Sequence, residues 1–425
     1  MASTYKNLSA GQKLSEYNGL KKQFDSFCFE DVKLDMSRGK PGPEQLDLAA
    51  GMHTCLSESD YYSSDGIDCR NYGVLDGLTE MKKIFADMLD VSPDEVILGG
   101  NSSLSMMFDN IASNVSHGVR DSIPWQRQGD VKFICPVPGY DRHFAICDYF
   151  HIGMVTIDMT PDGPDMDAVE RLVSEDPLIK GMWCVPVFSN PDGCIYSDET
   201  VRRIAGLRPA AHDFRVYWDN AYCVHHFRGE RPAIPCILRE CEKSGNPNMP
   251  LVFASFSKIS FSGAAVSAIA ASKSNCDFIR KRLAVQSIGP DKLCQLRHVR
   301  FFGDADGVYR HLIKIAGVIR PKFEIVTSAL NENLSDLEIA TWTDPSGGYF
   351  ISFDTLPGCA ARTVSLCKEA GVTLTPAGST YPHGKDPHDK NIRIAPTYPT
   401  PGELKKAMDI FCVAVRLASL ERLLG

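Results

Sequence analysis

Residues 251–270, LVFASFSKISFSGAAVSAIA, decide how this chain is interpreted. Their pattern predicts two apolar β-strands joined by a tight turn that is rich in serine and glycine. The centre of the segment carries one lysine, Lys258, and burying an unpaired ammonium group costs several kcal/mol. A buried lysine has a lowered pKa and reacts as a nucleophile with carbonyl compounds. A solvated lysine in a turn explains this segment equally well, because lysine is mostly exposed in proteins.

The composition is that of an ordinary globular protein. The chain has 425 residues, of which 44% are hydrophobic and 23% charged, and its formal net charge is −8. This length predicts about two or three domains with a large core. An acidic protein is a poor partner for nucleic acids or anionic membranes, because both attract basic surfaces. No run approaches the roughly 18 apolar residues of a membrane span, and the polar amino terminus has no apolar signal core.

The cysteines indicate a reducing compartment. All 15 are scattered as single residues, with no CxxC pair and no Cys/His cluster at metal-binding spacing. Disulfide frameworks and metal sites normally show such spacings. We therefore expect free thiols, no metal and a cytoplasmic location.

Strands and helices alternate through the middle of the chain. This alternation predicts an α/β fold with a mostly parallel central sheet, covered by helices on both faces. The predicted strands are residues 95–100, 131–135, 153–159, 181–188, 214–220 and 251–255.

The pattern changes near residue 320. A helix is predicted over residues 321–334, followed by a half-buried strand pair in GGYFISFDTL (347–356) and a terminal helix over residues 404–424. This α+β pattern predicts a second, smaller domain. We assign residues 50–318 to a large domain, and residues 1–49 and 319–425 to a small one.

Polar residues recur where the predicted strands end, and ligands of open α/β sheets bind beyond those ends. Each residue has a structural explanation on its own: SNPDG (189–193) is a common turn, and Asp219 could cap a helix. All of these residues come at or just after predicted strand ends, in one order along the chain, and this arrangement favours a single site. These residues are Gly100, Asn101 and Ser102 at a helix start suited to phosphate, then Tyr140, Asn190, Asp219, Tyr222, Ser255 and Lys258.

This series resembles the fold-type I aminotransferases that depend on pyridoxal 5′-phosphate (PLP). The matching motifs are Asn190-Pro191-Asp192-Gly193, Asp219-Asn220-Ala221-Tyr222 and Ser255-Phe256-Ser257-Lys258. Further matches are Tyr72 in NYGVLDG, Arg393 in NIRIAP and the early SRGKP segment (37–41). The segments SRGKP, RNYGVLDG, GGNSSL and SIGPDKLCQLRH are similar to a divergent branch of aspartate aminotransferases, subgroup Ic.

The resemblance implies a three-layer PLP-transferase fold and a role for each matched residue. Lys258 would hold the cofactor and later move a proton to and from the substrate Cα. Asp219 would pair with the pyridine nitrogen, and Asn190 and Tyr222 would hydrogen-bond the ring oxygen O3′. Tyr140 would stack on the ring.

The remaining implied cofactor contacts concern the phosphate. Gly100, Asn101, Ser102 and Ser255 would hold it within one subunit. Tyr72 would reach the phosphate of a partner subunit, since members of this family are homodimers with shared active sites. One departure from the family pattern is the missing phosphate-binding arginine, because Ser262-Gly263-Ala264-Ala265 stands where the family has a Pro-Gly-x-Arg run.

The resemblance also implies how substrate would bind. Arg393 would grip the α-carboxylate with two parallel hydrogen bonds, assisted by Asn190. A dicarboxylic substrate needs a second cation, for which Arg38 is the first candidate and Lys292 the second. An ordinary surface charge is an equally good interpretation of Arg38 and Lys292. We assign no role to His143 or to the His225-His226 pair.

The sequence thus predicts a PLP-dependent aminotransferase with a ping-pong mechanism. The expected substrates are L-aspartate, or another dicarboxylic amino acid, and a 2-oxo acid such as 2-oxoglutarate. A C–S or β-lyase, a decarboxylase or an aminotransferase of other specificity on the same scaffold is the main alternative, and Arg393 argues against decarboxylation. A non-catalytic effector-binding domain is a weaker alternative. The regulators that contain such domains add a basic DNA-binding module, and this acidic sequence shows no such segment.

Overall fold

The computed structural model describes residues 4–425, so residues 1–3 of the predicted small domain lie outside the described part. Its α-helices are α1 (Ala10–Phe29), α2 (Pro43–Asp47), α3 (Thr79–Leu89), α4 (Ser103–His117), α5 (Asp141–Tyr149), α6 (Met166–Glu175), α7 (Asp198–Ala205), α8 (Ile237–Lys243), α9 (Lys273–Gln286), α10 (Lys292–Phe302), α11 (Ala305–Leu334), α12 (Ala360–Glu369) and α13 (Pro401–Leu424). Its β-strands are β1 (Leu34–Met36), β2 (Val96–Leu98), β3 (Lys132–Val137), β4 (Gly153–Thr160), β5 (Gly163–Pro164), β6 (Ile179–Cys184), β7 (Arg215–Asp219), β8 (Pro250–Ser255), β9 (Ser267–Ala271), β10 (Ala340–Trp342), β11 (Ile351–Thr355), β12 (Val372–Leu374) and β13 (Asn391–Ile394).

The largest sheet has eight strands in the order β2-β9-β8-β7-β6-β3-β4-β5. The pairs from β8 through β7, β6 and β3 to β4 are parallel. β9 runs antiparallel to both of its neighbours, β2 and β8. The predicted pair of apolar strands around the Lys258 turn is therefore confirmed as β8 and β9, and so is the mostly parallel central sheet.

Side chains of β7 alternate between the two faces of this sheet. The Tyr217 ring centroid lies 5.4 Å from that of Phe133 and 5.9 Å from that of Phe253 on one face, which α4, α5 and α9 cover. Val216 and Trp218 belong to the core on the other face, which α3, α6, α7 and α8 cover. Burial on both faces explains why these strands are almost continuously apolar. The three-layer α/β architecture is confirmed.

A second, antiparallel sheet has the order β10-β11-β13. The predicted strand pair in residues 347–356 is wrong, because this segment contains only β11. The partners of β11 lie outside the segment: β10 precedes it with eight residues between them, and β13 lies far along the chain. The glycines before β11 pack against another loop instead of turning a hairpin. A Cβ atom on Gly347 would lie 2.3 Å from the Phe188 ring, and the Gly348 amide donates to the carbonyl of His225 at 2.9 Å.

Two other predicted boundaries differ from the structure. The strand predicted to reach residue 188 ends at Cys184, and Pro186 two residues later has no amide hydrogen for a ladder. The helix predicted from residue 321 begins at Ala305, and Pro321 lies inside it. This helix, α11, runs without a break across residue 318, and the division into a large and a small domain stays a prediction. No helix within residues 4–425 is both long and apolar enough to span a membrane.

Candidate active site

The predicted site residues meet at one edge of the large sheet, as the carboxyl ends of parallel strands require. Asp219 is the last residue of β7, and Ser255 is the last residue of β8. Tyr140 and Ser102 stand immediately before α5 and α4, the helices that follow β3 and β2. Asn190 lies in the loop after β6 and is buried.

Lys258 lies in the turn after β8, and its amine is enclosed by aromatic rings. The Nζ atom is 5.1 Å from the centroid of the Tyr222 ring and 5.8 Å from that of Tyr349. Burial lowers the pKa of Lys258, while the negative charge of Asp219 acts in the opposite direction. The lowered pKa raises the fraction of neutral amine, which is the nucleophilic form.

Asp219 is held by a histidine to which the sequence assigned no role. Nε2 of His143 lies 3.0 Å from Oδ2 of Asp219, and both side chains are buried. The His143 ring stacks on Trp183 at a centroid distance of 4.1 Å. The other carboxylate oxygen, Oδ1, is buried and has no hydrogen-bond partner within residues 4–425. Because a buried unpaired acceptor is costly, this atom is suited to a donor from a bound molecule.

Two phenols line the same space. Burial, followed by the negative charges of Asp219 and Asp141, raises the pKa of Tyr140. Burial raises the pKa of Tyr222 as well, and the charge of Asp219 adds to this effect while Arg393 opposes it. Both hydroxyl groups therefore stay protonated and available as hydrogen-bond donors.

Arg393 on β13 reaches this site from the three-stranded sheet. Its Nη1 atom donates to Oδ1 of Asp141 at 2.8 Å and to Oδ1 of Asn190 at 3.2 Å. Its guanidinium carbon lies 4.8 Å from the centroid of the Phe350 ring. The Nε atom is buried without a partner among the described residues. The predicted neighbours Arg393 and Asn190 are thus in direct contact.

The start of α4 and the turn after β8 lie side by side. Nδ2 of Asn101 donates to the carbonyl of Ser262 at 3.2 Å, which joins the two segments. The hydroxyls of Ser255 and Ser257 lie 2.7 Å apart, and Ser267 donates its amide to the carbonyl of Gly100 at 2.7 Å. Free amides at a helix start and nearby hydroxyls favour anion binding without a cation. Ala265, where the family has arginine, is only 4% exposed.

Two residues that sequence reasoning missed support the lysine turn. Nε2 of Gln45 donates to the main-chain carbonyl of Lys258 at 2.8 Å, and the Tyr349 hydroxyl donates to Oε1 of Gln45 at 2.9 Å. Nε2 of His225 lies 3.4 Å from the same carbonyl. A glutamine on a five-residue helix gives no sequence signal for such a contact, and neither does a tyrosine that follows two glycines.

Three other predicted residues are not brought into this cluster. Tyr72 is 82% exposed and Arg38 is also exposed. Lys292 is buried, and its Nζ atom donates to the carbonyl of Gly73 at 3.0 Å. Gly289 permits this approach, because a Cβ atom there would lie 2.5 Å from the same carbonyl oxygen. Lys292 therefore fixes the loop that carries Tyr72.

A metal site would require several ligating side chains in one place. Within residues 4–425, no group of three or more His, Cys, Asp or Glu side chains is arranged to hold a metal ion. The chemistry of the cluster is that of an amine, a carboxylate, two phenols and a guanidinium.

Comparisons with known proteins match nearly the whole chain to aminotransferases. The family model described as aspartate amino-transferase matches residues 8–425. An aspartate aminotransferase of Corynebacterium glutamicum is 46% identical over 406 residues, which cover 95% of this chain and 94% of that protein. A protein of Mycolicibacterium smegmatis named as an aminotransferase is 47% identical over 425 residues, covering 99% of both chains.

Solved structures give the same result for the fold. The crystal structure of an aspartate transaminase from Corynebacterium glutamicum matches with a TM-score of 0.97 and 44% identity, and the match covers 100% of both chains. An aminotransferase structure from Corynebacterium diphtheriae matches with a TM-score of 0.93 and 44% identity, covering 95% of this chain and 100% of that one. The chain therefore belongs to the aspartate amino-transferase family and is a transaminase.

Proposed function

We propose that this transaminase uses PLP and moves an amino group from L-aspartate, or another dicarboxylic amino acid, to a 2-oxo acid such as 2-oxoglutarate. The reaction would be ping-pong, with the donor half complete before the acceptor binds. The observation that carries the cofactor proposal is the buried, unpaired Oδ1 atom of Asp219. The name of the Corynebacterium glutamicum relative supports aspartate as donor.

The residues of the site fit PLP. The Oδ1 atom of Asp219 suits the pyridine N–H, and the amine of Lys258 suits the aldehyde carbon. The start of α4 and Ser255 suit the phosphate, and Tyr140 suits the ring face. When bound, PLP supplies an electron-withdrawing ring that stabilises negative charge at the substrate Cα.

The proton steps would belong to this chain's own groups. The Nζ atom of Lys258 would remove the proton from the Cα of the amino donor. In the acceptor half of the reaction it would return a proton to the Cα that receives the amino group. Burial lowers the pKa of this amine and so raises the fraction of its neutral form, which is the form that can accept a proton. His143 contacts Oδ2 of Asp219 and so would keep the other oxygen, Oδ1, oriented toward the pyridine nitrogen of bound PLP.

Arg393 would bind the substrate α-carboxylate, with Asn190 beside it. A guanidinium in this position favours reactions in which the carboxylate is kept, which argues against decarboxylation. For the distal carboxylate we favour Arg38, because Lys292 already donates to the carbonyl of Gly73. Arg38 is exposed and lies in the loop between β1 and α2, and Gln45 of α2 contacts the lysine turn.

We further propose a cytoplasmic homodimer with shared active sites. Tyr72, Val285 and Ile288 are large side chains exposed by 82%, 91% and 62%. Tyr72 lies on the loop held by Lys292, and Ile288 lies in the segment that packs against this loop through Gly289. An exposed apolar surface of this kind favours association with a second copy.

The visible absorption spectrum of purified protein loaded with PLP tests the proposal. We expect a yellow protein that bleaches with L-aspartate and recovers its colour with 2-oxoglutarate. The Lys258→Ala variant is the matched control and should fail to complete this cycle. A yellow protein that ignores aspartate but responds to another amino acid would overturn the substrate and keep the cofactor. A protein that stays colourless would overturn the cofactor proposal.

A further inference from the structure

The guanidinium of Arg393 is paired with a carboxylate of the protein itself. Asp141, the first residue of α5, places its Oδ1 atom 2.8 Å from Nη1 of Arg393. The two side chains are 31% and 6% exposed, respectively. The pair joins a helix on the large sheet to a strand of the three-stranded sheet, and the residues are 252 positions apart in sequence. The motifs that carry the family resemblance do not include Asp141.

The contacts of Arg393 restrict how it can bind a ligand. Asp141 and Asn190 both accept from Nη1, which has only two hydrogens. The Phe350 ring stacks against the guanidinium and limits its rotation. Nε is buried and has no partner within residues 4–425. The donors left for an incoming carboxylate are therefore those on Nε and Nη2.

We propose that Asp141 is a positioning residue that fixes the orientation of Arg393 and so presents its Nε and Nη2 donors to the substrate carboxylate. This inference rests on the proposed role of Arg393 as carboxylate clamp. Two parallel hydrogen bonds require the guanidinium plane and the carboxylate plane to coincide. A long arginine side chain that is already immobilised loses less entropy when the substrate binds.

The negative charge of Asp141 works against this role, because it repels the substrate carboxylate. Both carboxylates would lie on the same guanidinium, so their like charges would repel each other across a short distance. The charge and the hydrogen-bond acceptor of Asp141 therefore act in opposite directions on carboxylate affinity. A useful test must separate them.

A second explanation for Asp141 is local. An acidic residue in the first turn of a helix interacts favourably with the helix dipole. If Asp141 served α5 alone, its replacement would change stability and leave carboxylate affinity determined by charge only. The Asn and Ala variants distinguish these two roles.

The experiment compares Asp141→Asn with Asp141→Ala in PLP-loaded protein. Both substitutions remove the charge, but only asparagine retains an oxygen acceptor for Nη1. The probe is succinate, a dicarboxylate that cannot transaminate, and its dissociation constant is measured by calorimetry. We expect succinate to bind about tenfold more weakly to the alanine variant than to the asparagine variant, the loss typical of one charge-assisted hydrogen bond. The affinity for PLP should be the same in both.

Asp148 provides the matched control, because it lies on the same helix and pairs with His383 at the surface, away from Arg393. Asp148→Asn and Asp148→Ala should bind succinate equally well. Equal succinate affinities for the two Asp141 variants would overturn the proposal. Asp141→Leu, which has a similar shape and no acceptor, replaces the alanine variant if that protein is unstable. Failure of the wild-type protein to bleach with any amino acid would overturn the proposed function instead.

Discussion

Nε2 of Gln45 donates a hydrogen bond of 2.8 Å to the main-chain carbonyl of Lys258, across 213 positions of sequence. Gln45 lies on the short helix α2, which directly follows the loop that contains Arg38. The Tyr349 hydroxyl joins the same network and lies 3.3 Å from that carbonyl. The loop that carries Arg38, the proposed distal-carboxylate residue, is thus tied through α2 to the backbone of the proposed reactive lysine.

Replacing Gln45 should weaken the lysine turn. Gln45→Leu leaves the buried carbonyl of Lys258 with a poorer set of donors, and we expect a loss of about 1–3 kcal/mol in the free energy of unfolding. We also expect a slower half-reaction with L-aspartate, measured by single-turnover absorbance. Tyr349→Phe is the control, because it keeps the bond between Gln45 and Lys258, and its effect should be smaller. A Tyr349→Phe variant impaired as much as Gln45→Leu would contradict this view.

Lys258→Ala should abolish transamination and leave the fold intact. The expected loss is several orders of magnitude in kcat, because the amine is proposed both to bind the cofactor and to move the Cα proton. Circular dichroism and thermal unfolding check the fold. Near-normal turnover in this variant would refute the mechanism.

Arg38→Ala should change specificity more than rate. Without this cation, the distal carboxylates of aspartate and glutamate lose their partner, and kcat/KM for both substrates should fall. Alanine has no distal carboxylate and should be affected little. We expect losses of about 100-fold for the two dicarboxylic substrates and a small change for alanine. Lys40→Ala is the control, since Lys40 is a neighbouring exposed cation that lies over the Tyr398 ring. Equal losses on all three substrates would remove Arg38 as the distal clamp.

His225 should make the protein less stable in acid. Burial, with the nearby Lys258 charge adding to it, lowers the pKa of His225 from 6.5 to about 3. Between these two values the unfolded chain binds a proton that the folded chain does not, so stability falls as the pH falls through this window. The slope from one such group is about 1.4 kcal/mol per pH unit. His225→Gln should flatten the decline measured by urea unfolding at several pH values.

The surface residue His383 provides the comparison for that measurement. It is 64% exposed, so His383→Gln removes one surface imidazole without disturbing the buried site. If the two glutamine variants lost stability with identical slopes, His225 would have no part in the acid sensitivity.

Mixing two inactive variants should restore activity if active sites are shared. In a hybrid of Tyr72→Ala and Lys258→Ala subunits, one of the two sites contains both native residues. Random exchange of subunits should therefore recover roughly a quarter of wild-type activity. The measurement is transaminase activity after the two variants are unfolded and refolded together. No recovery, with dimers verified by light scattering, would contradict a site completed by Tyr72 of a partner.

The central site followed from the sequence because its signals are local. Asp219 and Ser255 end apolar strands, and the turn after β8 carries Lys258, so the order of strand ends placed them at one edge of a parallel sheet. The alternation of β7 between two cores is equally local, since neighbouring side chains of a strand point to opposite faces. The fold class and the position of the site were therefore determined by the sequence.

The partners of these residues were decided only by the tertiary structure. His143 on Asp219, Asp141 on Arg393 and Gln45 on the Lys258 carbonyl are contacts between segments far apart in the chain. A hydrogen bond needs atoms within about 3 Å in a suitable direction, and only packing of the layers sets such distances. The strand predicted at the start of residues 347–356 is absent, and the glycines there instead pack against Phe188 and the carbonyl of His225. Periodicity along the chain therefore located the site, and three-dimensional packing determined how each group in it is held.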